Sequence, residues 1–288
     1  MMMGIKTIVV PVRGDGKGDN VLRHAAVLAH RFNAHIDVTH VRPNPEDMIP
    51  FGVAVPDYLK RQILDSASSL ADAKEEKLKD ELSALARELK LVETDDHPNG
   101  SEATVSFTEE PGRQVDVISH LGRLADLIAV AQPDGVRKFG ANTLRAAIFA
   151  SGRPVLMCPD QAPPPALGDT VAIGWNGSIE ASRAMRMSMP LIRKADRVSI
   201  LTTGDTEHER SGADALRRHL AGHGVESAIV AIDDHGIIGQ RLLDASRDIG
   251  ASLLIMGAYH EGYARQELFG GNAQTVVDHA TIPVILAN

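Results

Sequence analysis

Ala125-Asp126-Leu127-Ile128-Ala129-Val130-Ala131 returns, in spacing and character, as Ala251-Ser252-Leu253-Leu254-Ile255-Met256-Gly257, 126 residues further along the chain. Each run is followed, after a proline, by a second apolar segment: Pro154-Val155-Leu156-Met157 in one half and Pro283-Val284-Ile285-Leu286 in the other. Each half also opens on a matching apolar run, Ile5 to Val12 and Thr170 to Trp175. The spacing indicates a duplicated unit, so function is to be sought where the copies differ.

Working outward, near-continuous apolar strands alternate with amphipathic stretches, the pattern of a parallel sheet covered on both faces. The predicted class is α/β: two tandem doubly wound domains, each a five-stranded parallel sheet with helices on both faces. In the first copy the strands fall at Ile5 to Val12, Ile36 to Val41, Thr104 to Phe107, Leu127 to Ala131 and Val155 to Met157. In the second they fall at Val171 to Trp175, Val198 to Thr202, Ala228 to Ile232, Leu253 to Gly257 and Val284 to Leu286. A long helix is expected from about Asp57 to Leu91, with leucines at three- and four-residue spacing. Pro163-Pro164-Pro165 forbids helix and favours an extended connector. The expected domains are therefore residues 1–158 and 169–288, joined by a proline-rich linker at 159–168.

At 288 residues each copy has length enough for its own core. A formal charge of −8 argues against nucleic acid and anionic membrane as partners. The first apolar run is too short to span a bilayer and lacks the flanks of a secretory signal. Cys158, the single cysteine, permits no internal disulfide and reads as a buried, inert thiol. Together these features suggest a cytoplasmic protein.

In an open parallel sheet, ligands bind beyond the carboxyl ends of the strands, where strand order reverses. In the second copy this singles out Trp175, Asn176 and the following Gly177-Ser178, and the loop opened by Gly257. That loop carries Tyr259, His260, Glu261, Gly262, Tyr263, Arg265 and Glu267, and leads through Gly270, Gly271 and Asn272 into a helix. Glycines let backbone amides approach phosphate, and a helix start adds partial positive charge. On glycine pattern alone Gly270-Gly271 reads first as a tight turn before the last helix, and Trp175 reads as an adenine wall or a sheet-edge cap. Glu261 and Glu267 are candidates for a phosphate-bound metal or for solvated charge. His219 and His223 are four apart on a helix with no third ligand, which reads as a solvated face. No serine elbow, carboxylate pair or Cys-His arrangement assembles locally.

The arrangement resembles the universal stress protein family in its tandem form. ATP-binding members carry glycine, two residues, glycine, nine residues, then glycine followed by serine or threonine. Gly257 and Gly270 match the first and third glycines; His260 replaces the second, and Gly271 the serine or threonine. Asn176 stands where the family has an adenine-contacting aspartate. The first copy departs further: Ala131 replaces the leading glycine, Arg13 the aspartate, and Ala131 to Pro154 spans 23 residues against 26 from Gly257 to Pro283. The resemblance implies a non-enzymatic stress-response protein that binds ATP, with Mg as companion cation, through the second domain alone. It also implies an intramolecular pseudo-dimer paired through the last strand of each domain, homodimerisation, and a protein partner of unknown identity. Two rivals stand beside it: a nucleotide-free interaction module, and a nucleotide-dependent transferase whose Ser-Gly-Gly loop neither copy contains.

Overall fold

The computed structural model describes residues 4–12, 16–42, 75–95, 100–135, 140–204, 211–258 and 271–288. In the first half, β1 (Thr7–Val12), α1 (Gly18–Phe32) and β2 (His35–Arg42) are followed by a helix described over 75–88 (α2). Then come β3 (Val92–Glu93), β4 (Thr104–Pro111), α3 (Gln114–Gly122), β5 (Leu127–Ala131), α4 (Ala141–Ala150) and β6 (Val155–Cys158). The second half runs β7 (Thr170–Gly174), α5 (Ile179–Met187), α6 (Met189–Lys194), β8 (Arg197–Thr202) and α7 (Ala213–Gly222). It ends with β9 (Ala228–Ala231), α8 (Ile238–Asp248), β10 (Leu253–Gly257), α9 (Gly271–His279) and β11 (Val284–Ala287).

All strands join one sheet in the order β3-β4-β2-β1-β5-β6-β11-β10-β7-β8-β9. Both halves thus share one strand order, reversing between β1 and β5 and again between β7 and β10. Every pairing is parallel except the central one, where β6 meets β11 antiparallel with Leu156 opposite Ile285. This is the pairing of final strands that the family resemblance implied. Each half-sheet covers its apolar edge with the other's.

Period-two alternation sends neighbouring side chains to opposite faces, and both faces are buried. One apolar cluster joins Ile8, Val10, Leu127, Leu156, Ile173, Ile255 and Ile285 under α1, α2, α5, α6 and α7. The other joins Val9, Ile128, Val155, Met157, Leu254 and Leu286 under α3, α4, α8 and α9. Each cluster runs without interruption through both halves.

The duplication extends to hydrogen bonds. Asp126 accepts from the backbone N–H groups of Lys6 (2.7 Å) and Thr7 (3.1 Å), tying the start of β1 to β5. Ser252, its counterpart, accepts from Gly168 (3.1 Å) and Thr170 (3.3 Å), doing the same for β7 and β10.

Three expectations need correction. The first half holds a sixth, two-residue strand, β3, which its short exposed sequence does not signal and which extends the edge beside β4. β4 continues four residues past Phe107, to Pro111, because it pairs with β2 along its whole length. The linker is extended only at its start. Backbone bonds from Leu167 to Pro164 (3.0 Å) and from Asp169 to Ala166 (3.0 Å) then turn it, and Leu167 is buried in the shared core. The linker is also held laterally: Asn20 donates to the Pro159 carbonyl (2.6 Å), and Arg31 donates to the Gly168 carbonyl (3.4 Å). The part of the long helix expected before residue 75 lies outside the described residues.

Cys158 is buried, and burial pushes its thiol pKa up, as expected of an inert position. His24, fully buried on α1, donates from Nδ1 to the Asn20 carbonyl (2.8 Å) and has no partner at Nε2. Burial lowers its pKa below the ordinary 6.5, and lowers that of half-buried His40 too. The unfolded chain therefore takes up protons first as pH falls. Stability from these groups is complete above about pH 6.5 and is lost as pH falls toward the folded-state values. The urea midpoint is expected to drop between pH 7.5 and pH 5; an unchanged midpoint would contradict this.

Candidate functional site

At the carboxyl ends of β7, β8, β9 and β10 lies a cavity of about 650 Å³. The equivalent place in the first half, around Val12, Gly18, Ala131 and Gly140, encloses about 40 Å³. Here the copies differ most. In the first half β1 ends in Val12, which packs so closely on the start of α1 that a Cβ at Gly18 would come within 2.9 Å of Val12 Cγ1. At the matching position of the second half stands Trp175, whose indole Nε1 donates to the Ser211 carbonyl (2.8 Å). Trp175 both belongs to the core and lines the cavity.

The structure brings together six of the residues singled out from sequence. Trp175, Asn176, Ser178, Gly257, Gly271 and Asn272 line the same cavity. His260, Gly262, Arg265 and Gly270, with Tyr259, Glu261, Tyr263 and Glu267, lie outside the described residues.

Asn176 follows β7, and its Oδ1 accepts from the Ser178 N–H (3.1 Å), forming an Asx turn. Gly177 permits that turn with φ of +76°, where an added Cβ would also meet Ser211 at 3.0 Å. Ser178 then caps α5 by accepting from the Ala181 N–H (3.2 Å). The Asn176 oxygen is thus committed locally, and its amide NH₂ is the group left to donate to a ligand.

The two cavity glycines differ in role. A Cβ at Gly257 would come within 2.8 Å of the Ala181 nitrogen, the Glu180 carbonyl carbon and Glu180 Cβ, so α5 itself requires this glycine. A Cβ at Gly271 would meet nothing within 4 Å. The open space lies where ATP-binding relatives carry serine or threonine, at the first turn of α9, whose N–H groups and dipole suit an anion.

Sequence reasoning missed Glu180, Thr202, Thr203, Ile232 and Asp234, all of which line the cavity. No motif marks them, although Thr203 and Ile232 directly follow the strand ends where the topological rule places ligands. Asp234 belongs to an exposed rim group with Asp233 and His235, whose ligand atoms lie within 4.8 Å of one another. A second such group, His40, Glu75 and Glu109, lies in the first half. There Arg42 already reaches Glu75 (3.7 Å) and Glu109 (3.3 Å). His219, in the last turn of α7, and His223, just past its end, meet edge to face at 4.7 Å.

The family model described as "Universal stress protein family" matches residues 4–132 and 174–288. The chain belongs to the universal stress protein family. Both copies are family units, and the unmatched stretch between them contains the linker. No curated protein matches the chain. Among solved structures it is similar to a universal stress protein from Archaeoglobus fulgidus, at a TM-score of 0.70 and 17% identity, covering 98% of this chain and 96% of that one. It is also similar to a putative universal stress protein from Pseudomonas aeruginosa, at a TM-score of 0.56 and 14% identity, covering 98% and 93% of the two chains. At such identities the likeness establishes the fold alone. Among the described residues no helix is long and apolar enough to cross a membrane.

Proposed function

We propose that this protein acts in the stress response by binding an adenine nucleotide in its second half, and that occupancy of that site alters the surface offered to a protein partner. The observation that carries the proposal is the asymmetry of the two equivalent sites, about 650 Å³ against about 40 Å³. The larger has the 300–1,000 Å³ span typical of small-molecule sites. Its residues fit the group: an aromatic wall at Trp175, an amide donor at Asn176, and unobstructed backbone at the start of α9. Where a companion Mg is bound, Asp234 at the rim is the described carboxylate placed to reach it. The role is binding, with no catalytic step assigned.

Titration of the full chain with AMP, ADP and ATP, with and without Mg, tests the proposal. Binding of at least one of them is expected at one site per chain, with a change in Trp175 emission because the indole lines the cavity. Two equivalent sites would contradict the asymmetry. No binding of any adenine compound would favour the nucleotide-free interaction module.

A further inference from the structure

We infer that the second-half cavity selects an adenine ribonucleoside, with Glu180 accepting hydrogen bonds from the ribose hydroxyls. This rests on the adenine-nucleotide reading of the same site and narrows its ligand class.

Glu180 lies in the first turn of α5 and is only 6% exposed. It lines the cavity, yet its carboxylate makes no hydrogen bond or ion pair with any described residue. Neither oxygen is among the side-chain atoms sealed from solvent without a partner. What surface the side chain keeps therefore opens on the cavity. A carboxylate withdrawn from water is costly unless donors or a counter-charge satisfy it. The start of α5 offsets part of that cost through its dipole. The remainder falls to the ligand.

The position says which part of the ligand. Glu180 is four residues past Asn176, which the proposed function sets against the base, and its Cβ abuts Gly257, which like the start of α9 lines the cavity. A ribose joins base to phosphate. Its neighbouring hydroxyls are two donors set side by side, matching the two acceptor oxygens of a carboxylate, as in dinucleotide folds where an acidic side chain holds the ribose.

Calorimetry on the full chain with adenosine and 2′,3′-dideoxyadenosine, and with AMP and ATP beside them, tests this. Adenosine is expected to bind about ten-fold more tightly than dideoxyadenosine. Glu180→Gln is expected to weaken adenosine about ten-fold, as loss of a hydrogen bond to a charged group does, and to leave dideoxyadenosine unchanged. Its melting temperature should hold or rise, and the parent's preference for adenosine tests the ribose contact without any variant. Equal binding of adenosine and dideoxyadenosine, with Glu180→Gln indifferent, would overturn the inference while leaving the adenine site intact. ATP binding that needs Mg and is lost in Glu180→Gln would overturn it too, by making Glu180 a cation ligand. Failure of all four compounds would remove both this inference and the reading beneath it.

Discussion

Leu156→Ala is expected to destabilise both halves of the protein together, by about 2–5 kcal/mol, although the residue belongs to the first half alone. Leu156 is buried on β6, opposite Ile285 on β11, at the one antiparallel step of the sheet. Its side chain belongs to an apolar cluster that also holds Val10 and Ile36 on one side and Val171, Ile173 and Ile255 on the other. Deleting three carbons there leaves a cavity shared by both copies, and neither can unfold without exposing the other's central strand. The tryptophan makes this measurable, because Trp175 lies in the second half and reports on that half only. Urea unfolding followed by tryptophan emission and by far-UV circular dichroism is expected to give coincident curves in the parent. Both curves should shift equally in the variant. Two separated transitions, with the Trp175 transition unmoved by Leu156→Ala, would show that the halves are independent.

The fold was legible in the sequence because a parallel sheet buried on both faces leaves a strong trace. Runs such as Leu127 to Ala131 and Leu253 to Gly257 have no polar residue to spare, and the repeat supplies each assignment twice. The pairing of the two final strands followed from family resemblance rather than from pattern, since nothing in the apolar runs says which strands are neighbours. What escaped detection had weak local signals. Val92 and Glu93 are exposed and owe their strand to pairing with β4, a contact decided from outside the segment. Leu167 looks like part of a proline connector and is a core residue only because the turn before β7 folds it inward.

The site was half legible for a related reason. Glycines and the asparagine after β7 announce themselves by type, as residues that permit turns or close approach. Glu180 does not, because a glutamate in the first turn of a helix is ordinary, and only the fold shows that it is buried beside Gly257 on a cavity wall. The closure of the first-half site was readable in outline from the missing glycine and shortened loop. Its described physical cause, Val12 packed against Gly18, needed the structure.

Gly257 and Gly271 line the same cavity, and the last prediction is that adding a side chain to each has opposite consequences. Gly257→Val places a Cβ 2.8 Å from backbone atoms of Glu180 and Ala181, which cannot yield as a flexible side chain would. The start of α5 must move off β10, at a cost of about 1–3 kcal/mol by analogy with overpacked cores. That movement carries Ser178 and Glu180 with it, so adenine-nucleotide affinity is expected to fall more than about ten-fold, since catalytic and binding groups tolerate only small misplacement. Gly271→Ser puts its side chain into open space at a helix start and restores the residue type found in ATP-binding relatives. Its stability is expected to stay within about 0.5 kcal/mol of the parent. Binding should persist. Denaturation midpoints and one nucleotide titration for each variant decide the matter. If Gly257→Val bound normally with an unchanged midpoint, the packing of α5 on β10 would not be what keeps this position a glycine. If Gly271→Ser unfolded the protein, the space beside α9 would not be open to a ligand either.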